Sequence, residues 1–138
     1  MDPSRYLQWW LLLVAALRFL SVVIALFRPK RLQHSLFAAA SDQFTPLTAR
    51  IFACWTATTG MLCLLCAHQG CRPDSAIYMA TALSFAVALF LFVPEVAWHG
   101  TMTLGTVASP LIVATSSLGW MLAVRLSHTP KDTSIRRE

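Results

Sequence analysis

Residues 75–94 read SAIYMATALSFAVALFLFVP, twenty consecutive positions without Asp, Glu, Lys or Arg. A run of about 20 apolar residues is what a helix needs to cross the hydrocarbon core of a bilayer. The signature recurs on both sides. No charged residue occurs between Arg50 and Arg72, or between Glu95 and Arg125. The stretch from Tyr6 to Phe27 is interrupted once, by Arg18. Backbone in lipid must satisfy its own hydrogen bonds, which selects helices over open strands. The expected fold is therefore all-α, a four-helix transmembrane bundle. Its spans cover about residues 6–27, 46–67, 75–97 and 103–125, followed by a basic tail at 126–138, in one membrane domain over 1–138.

Composition points the same way. Hydrophobic residues make up 57% of the 138 positions and charged residues only 12%. An ordinary soluble domain carries about 25% charge. The charges behind the net +5 lie nearly all in loops and tails, Arg18 being the exception, so the balance implies no nucleic-acid partner. The first apolar segment is longer than the about 7–15-residue core of a cleaved signal peptide and contains Arg18, so it is expected to remain as a span.

Local punctuation supports the boundaries. Thr45-Pro46 reads as an N-cap followed by proline at the first helical position. Asp74 or Ser75, after Pro73, can cap the third span. Pro94 ends or kinks that span, and Pro110 bends the fourth by leaving the Thr106 carbonyl without its backbone donor. Trp9, Trp10, Tyr78, Trp98 and Trp120 fall near span ends, where amphipathic rings prefer the headgroup zone. Four spans place both termini on one side, with Arg5, Arg72, Arg125, Lys131, Arg136 and Arg137. Arg28, Lys30, Arg31 and Arg50 lie on the other. That balance weakly favours cytosolic termini.

Small residues offer helix contacts. Ala76, Ala80, Ser84 and Ala88 recur every four residues on the third span; Thr115, Gly119 and Ala123 do so on the fourth, and Ala53 and Ala57 on the second. Close approach over small side chains drives helix pairing in membranes. Such stripes serve packing within the chain and association with other membrane helices, including a second copy. The linker 32–44 places Leu32, Leu36, Phe37, Ala40 and Phe44 roughly on one face behind Arg28, Lys30 and Arg31. It reads either as an interfacial amphipathic helix against anionic lipid or as a polar loop.

Few residues suggest chemistry. Arg18 near mid-span is costly and is expected to face protein or water. Glu95 is its natural partner, although ideal helices set the two about 12 Å apart in depth; the alternative is that Arg18 snorkels to water. A structural or partner-contacting arginine is the preferred reading over a small transporter. Cys63 and Cys66 form a Cys-x-x-Cys with His68 and Cys71 beyond. A zinc site, a membrane thiol oxidoreductase using Cys63 and Cys66, and simple packing are the three readings, packing being favoured. His34, His68, His99 and His128 are scattered one to each loop or tail. There is no nucleotide fingerprint, phosphate loop, nucleophile elbow or paired-carboxylate site. An enzyme is not expected, nor a cofactor or metal.

The most specific text lies in the second span. Arg50-Ile51-Phe52-Ala53-Cys54-Trp55-Thr56 and Leu62-Cys63-Leu64-Leu65-Cys66-Ala67 resemble the Arg-x-Phe-x-x-Trp-Thr and Leu-Cys-x-x-Cys-Ala patterns of the ergosterol biosynthetic protein 28 family. Tyr78 to Thr81, Leu83 to Phe85, Ala88-Leu89, Glu95 and Gly100-Thr101 extend the resemblance, and Leu17-Arg18 resembles plant-type members. Phe90-Leu91 stands where the family carries Gly-His. The resemblance covers about residues 5–126. It implies a non-catalytic scaffold of the endoplasmic-reticulum membrane. Its partners would be the enzymes of sterol C-4 demethylation: a sterol C-4 methyl oxidase, a 3-hydroxysteroid dehydrogenase/C-4 decarboxylase and a 3-ketoreductase. Arg18, Arg50, Trp55 and Glu95 are the candidate fold or partner contacts. Arg136-Arg137 loosely resembles a retrieval signal of that compartment.

Overall fold

The computed structural model describes residues 3–128. Helix α1 spans Pro3–Phe27, α2 Pro29–Leu36, α3 Pro46–His68, α4 Ala76–Pro94 and α5 Leu104–His128. A short 3-10 turn covers Ala38–Ala40, and a π turn, Glu95–His99, continues α4. Four of these helices are long and apolar enough to cross a membrane. At 1.5 Å per residue each is about as long as a bilayer core is thick. α1 and α4 therefore run one way across the bundle, α3 and α5 the other.

The ends are set by the expected chemistry. Thr45 and Thr48 form a reciprocal capping box: the Thr48 amide donates to Thr45 Oγ1 at 3.2 Å and the Thr45 amide to Thr48 Oγ1 at 3.4 Å. Ser75, rather than Asp74, caps α4 by accepting the Tyr78 amide at 3.1 Å. α3 closes in a Schellman motif: Cys71 N donates to Cys66 O at 2.9 Å and Gly70 N to Ala67 O at 3.0 Å. Gly70 there has φ of 73°, the left-handed conformation that glycine adopts without cost. Pro94 ends the α-helical part of the third span, but the chain turns on as a π turn to His99, where Gly100 at φ 64° stops it. α5 runs three residues past Arg125, to His128; residues 129–138 of the expected tail, with Arg136 and Arg137, lie outside the described residues.

The tightest pairing joins α1 to α3. On α3 the buried residues Ala49, Ala53, Thr56, Gly60, Cys63 and Ala67 alternate in steps of four and three. This is the spacing of a left-handed helix–helix seam. α1 meets α3 through Gln8, Arg18 and Phe19, and its Leu7, Leu11 and Val14 are buried in the core. Gly60 is a point of close approach: a Cβ there would lie 3.3 Å from Arg18 Cβ and 3.5 Å from Phe19 Cζ. The seam is wider than the expected Ala53–Ala57 pair, of which Ala57 is only half-buried.

Interhelical hydrogen bonds gather at the end holding the N-termini of α1 and α4. Gln8 Nε2 donates to Ala67 O, joining α1 to α3. Trp10 Nε1 donates to Ser117 Oγ at 2.9 Å, joining α1 to α5. Tyr78 Oη donates to Met121 O at 2.6 Å, joining α4 to α5. Thr81 Oγ1 lies 3.1 Å from Leu62 O on α3 and 2.7 Å from Ile77 O on its own helix. These bonds satisfy Tyr78, Thr81 and Ser117, all fully buried, where an unmet polar group would be costly.

The opposite end is built differently. There the linker after α1 folds as α2, whose Leu32 and Leu36 are buried. Phe37 then stacks near Phe44, centroids 5.2 Å apart, and edge-on to Phe52 of α3 at 6.3 Å. The expected amphipathic pattern is thus real but broken: Leu32 and Leu36 belong to α2, and Ala40 is buried through the 3-10 turn. Outward faces carry Leu13, Leu20, Ile51, Leu83, Phe90, Ile112 and Leu126, all exposed in the isolated chain, as a lipid-facing surface requires.

The small-residue stripes divide. On α4, Ser84 and Ala88 are buried, Ala80 is half-buried and Ala76 is exposed. On α5, Thr115, Gly119 and Ala123 are all exposed, and nothing lies within 4 Å of a Cβ built at Gly119. α5 instead packs through Val107, Ala114, Ser117, Met121 and Val124.

Candidate functional site

The half of the bundle that lacks the hydrogen-bond lacing holds a cavity of about 360 Å³. All five helices wall it. α1 contributes Val14 to Ile24 positions including Arg18 and Ser21, α2 contributes Leu32, Ser35 and Leu36, and α3 contributes Phe52, Trp55 and Thr56. Ala88 and Phe92 of α4 and Thr106, Ser109, Pro110, Val113 and Ala114 of α5 complete it. Pro110 offers no N–H to the Thr106 carbonyl, and both residues stand on the wall.

The wall follows from local sequence. Val14, Arg18 and Ser21 fall at steps of four and three, so α1 turns them to one side. Phe52, Trp55 and Thr56 do the same on α3. Arg18 is held over Phe85, its guanidinium carbon 4.9 Å from the ring centroid. Phe85 is completely buried, so the contact is a desolvated cation–π pair. Arg18 forms no ion pair with Glu95. The Glu95 carboxylate accepts the Thr101 hydroxyl across the π turn. Depth is the reason: Phe85 is ten residues nearer than Glu95 to the N-terminus of α4, level with the middle of α1.

Of the candidate contacts, Arg18 and Trp55 meet at this cavity, and Ala88 from the α4 stripe joins them. Arg50 lies two residues before the first wall residue of α3, Phe52, and is exposed. Glu95 is half-buried in the π turn. The hydroxyls of Ser35, Thr56 and Ser109 and the seat on Phe85 escaped sequence reasoning. The available signal was the shared helical face of Val14, Arg18 and Ser21.

The cysteines pair otherwise than their spacing suggests. Cys63, Cys66 and Cys71 are buried and Cys54 is exposed, all as free thiols. Cys66 and Cys71 bring their Sγ atoms to 4.0 Å. They are the two positions that a Schellman motif sets in contact, which accounts for their proximity by packing. The Cys71 thiol is pushed well above its ordinary range, first by the contact with Cys66 and then by burial. Among the described residues no three His, Cys, Asp or Glu side chains gather as a metal site.

Comparison with known sequences bears on what this bundle does. Residues 7–119 match the family described as "Erg28 like protein". The chain is 34% identical over 118 residues to "Ergosterol biosynthetic protein 28" of Arabidopsis thaliana, covering 86% of this chain and 88% of that one. It is 31% identical over 116 residues to the Candida albicans protein of the same name, covering 83% and 82%. The Saccharomyces cerevisiae protein of that name is 29% identical over 128 residues, covering 92% and 85%. No solved structure matches.

Proposed function

Because the chain belongs to the Erg28-like family, we propose that it is a non-catalytic membrane scaffold of sterol biosynthesis. The observation that carries this reading is the extent of the match: residues 7–119 take in the second and third spans and most of the first and fourth, and the relatives matched are named for ergosterol biosynthesis. The proposed site of action is the endoplasmic-reticulum membrane, with both termini in the cytosol. The proposed clients are the sterol C-4 methyl oxidase, the 3-hydroxysteroid dehydrogenase/C-4 decarboxylase and the 3-ketoreductase. A plant-type assignment rests on Leu17-Arg18 alone.

A scaffold acts by proximity. Holding consecutive enzymes on one bundle raises the effective concentration of each product at the next active site. Intermediates then transfer before they disperse in the bilayer. The outward-facing Thr115, Gly119 and Ala123 suit this role, since helix association in lipid favours small residues and the chain's own packing leaves these three uncovered.

Loss of the protein in its host tests the reading. Sterol analysis should then show accumulation of 4-methyl and 4-carboxy sterols, restored by the wild-type chain and equally by a Cys63→Ser, Cys66→Ser variant. An unchanged sterol profile would refute the scaffold. Failure of the double variant, despite normal expression, would favour thiol chemistry.

A further inference from the structure

We infer that the cavity around Arg18 is a binding site for an apolar molecule carrying a single carboxylate. The inference stands apart from the scaffold reading, because it rests on the cavity wall alone.

The first observation is charge. Arg18 is the one ionisable residue on the wall, and no carboxylate lines it. Among the described residues Arg18 makes no hydrogen bond or ion pair; its contact is the Phe85 ring. Arg18 lines the cavity, and none of its nitrogens is both buried and unpartnered. A cation at mid-bilayer depth with an open donor fork favours an anion that brings little water with it. The second observation is polarity elsewhere. Thr56, in the buried part of the wall, and Ser109 hold hydroxyls without a partner among the described residues. The hydroxyls of Ser21, Ser35 and Thr106 on the wall are spent on backbone carbonyls of their own segments, and most of the rest is apolar, from Leu32 and Leu36 on α2 to Phe92 on α4. An apolar pocket with a few convergent polar groups is the usual form of a small-molecule site.

Size narrows the class. About 360 Å³ holds one acyl chain or one compact ring system; two-chain phospholipids exceed it. The guanidinium matches a carboxylate edge to edge through two parallel N–H···O bonds. The fold explains access. α1 and α5 are tied together at Trp10 and Ser117, toward the other end of the bundle. Around the cavity Pro110 interrupts the α5 hydrogen-bond ladder, and α2 supplies Leu32, Ser35 and Leu36 to the wall. Exposed Arg28, Lys30 and Arg31 on and beside α2 add positive potential on the same side.

The test uses the full chain in phosphatidylcholine nanodiscs and cis-parinaric acid, a fluorescent fatty acid, as the probe, with empty nanodiscs subtracted. Saturable binding at about one probe per chain is expected. Oleate or the steroid acid lithocholate should displace it at least tenfold more tightly than oleyl alcohol. Whichever acid displaces better assigns a chain or a ring ligand, and either supports the site. Arg18→Gln should weaken acid binding at least tenfold and leave alcohol binding unchanged; Arg18→Lys should fall between. Absence of saturable binding, equal displacement by acid and alcohol in the wild-type chain, or undiminished acid binding by folded Arg18→Gln would each overturn the proposal. The acid–alcohol comparison needs no variant, so a misfolded Arg18→Gln does not rescue it.

Discussion

Arg18 of α1 and Phe85 of α4 meet at the centre of the bundle, the guanidinium carbon 4.9 Å from the ring centroid. The contact gives a mid-membrane cation a protein partner without an acid. It also locks the depth of α1 against α4, two helices that run the same way. Phe85→Ala removes both the ring and its packing. It should cost about 3–5 kcal/mol, while Phe85→Leu should cost less than half as much. Thermal unfolding in detergent micelles measures the difference. Equal losses would show that the ring, and not the volume it fills, carries the whole contribution.

The α1–α3 seam depends on Gly60, where an added Cβ would crowd Arg18 and Phe19. Gly60→Leu should destabilise the bundle by about 1–3 kcal/mol through overpacking. Gly119 has open space around it, so Gly119→Leu should stay within about 0.5 kcal/mol of wild type. The same unfolding measurement compares the two. Similar losses at both positions would mean that α5 packs through its small-residue face.

The spans were legible because lipid tolerates few charges. The gaps between Arg50, Arg72, Asp74, Glu95 and Arg125 therefore bracket three of the four helices directly. Thr45-Pro46 was legible because an N-cap and its proline are local chemistry. The partner of Arg18 was not. Sequence offers Glu95 as the only nearby opposite charge, but an aromatic face one helix away is invisible until depth is fixed. The cavity was hidden for a related reason. Its wall takes about three turns from α1 and fewer from each of the other four helices, and the shared face of Val14, Arg18 and Ser21 does not tell what stands opposite it. The α3 seam was half visible: Ala53 stood out, whereas Thr56, Gly60 and Cys63 mix residue types that share only small size. On α5 the stripe Thr115, Gly119 and Ala123 was easy to find, but its outward direction depends on where Tyr78 and Trp10 anchor the helix.

Tyr78 Oη donates to the Met121 carbonyl inside the α4–α5 contact. Tyr78→Phe keeps the ring and removes this bond. It should lower stability by about 1 kcal/mol, the typical net worth of one hydrogen bond. No measurable change in the unfolding midpoint would remove this bond from the account of the laced end.

The Cys71 thiol is pushed above its ordinary range by Cys66 and by burial. Folding therefore favours its protonated form. This contribution is complete below the usual thiol pKa and is lost progressively as pH rises from there toward the raised folded value, because the unfolded chain releases the proton first. The unfolding midpoint should fall between about pH 8 and pH 10, and Cys71→Ala should flatten that slope. Alkylation of Cys71 in the folded chain should also stay slow across this range, against faster labelling of the same residue after denaturation. A steep rise in Cys71 labelling near pH 8 would contradict the protected thiol.

The scaffold claim is tested most directly by affinity purification of the tagged chain from digitonin-solubilised microsomes, with quantitative mass spectrometry of the co-purifying proteins. The account predicts enrichment of the C-4 methyl oxidase, the dehydrogenase/decarboxylase and the 3-ketoreductase together, well above an unrelated four-span protein of equal abundance. Recovery of the chain with none of the three enriched would contradict it.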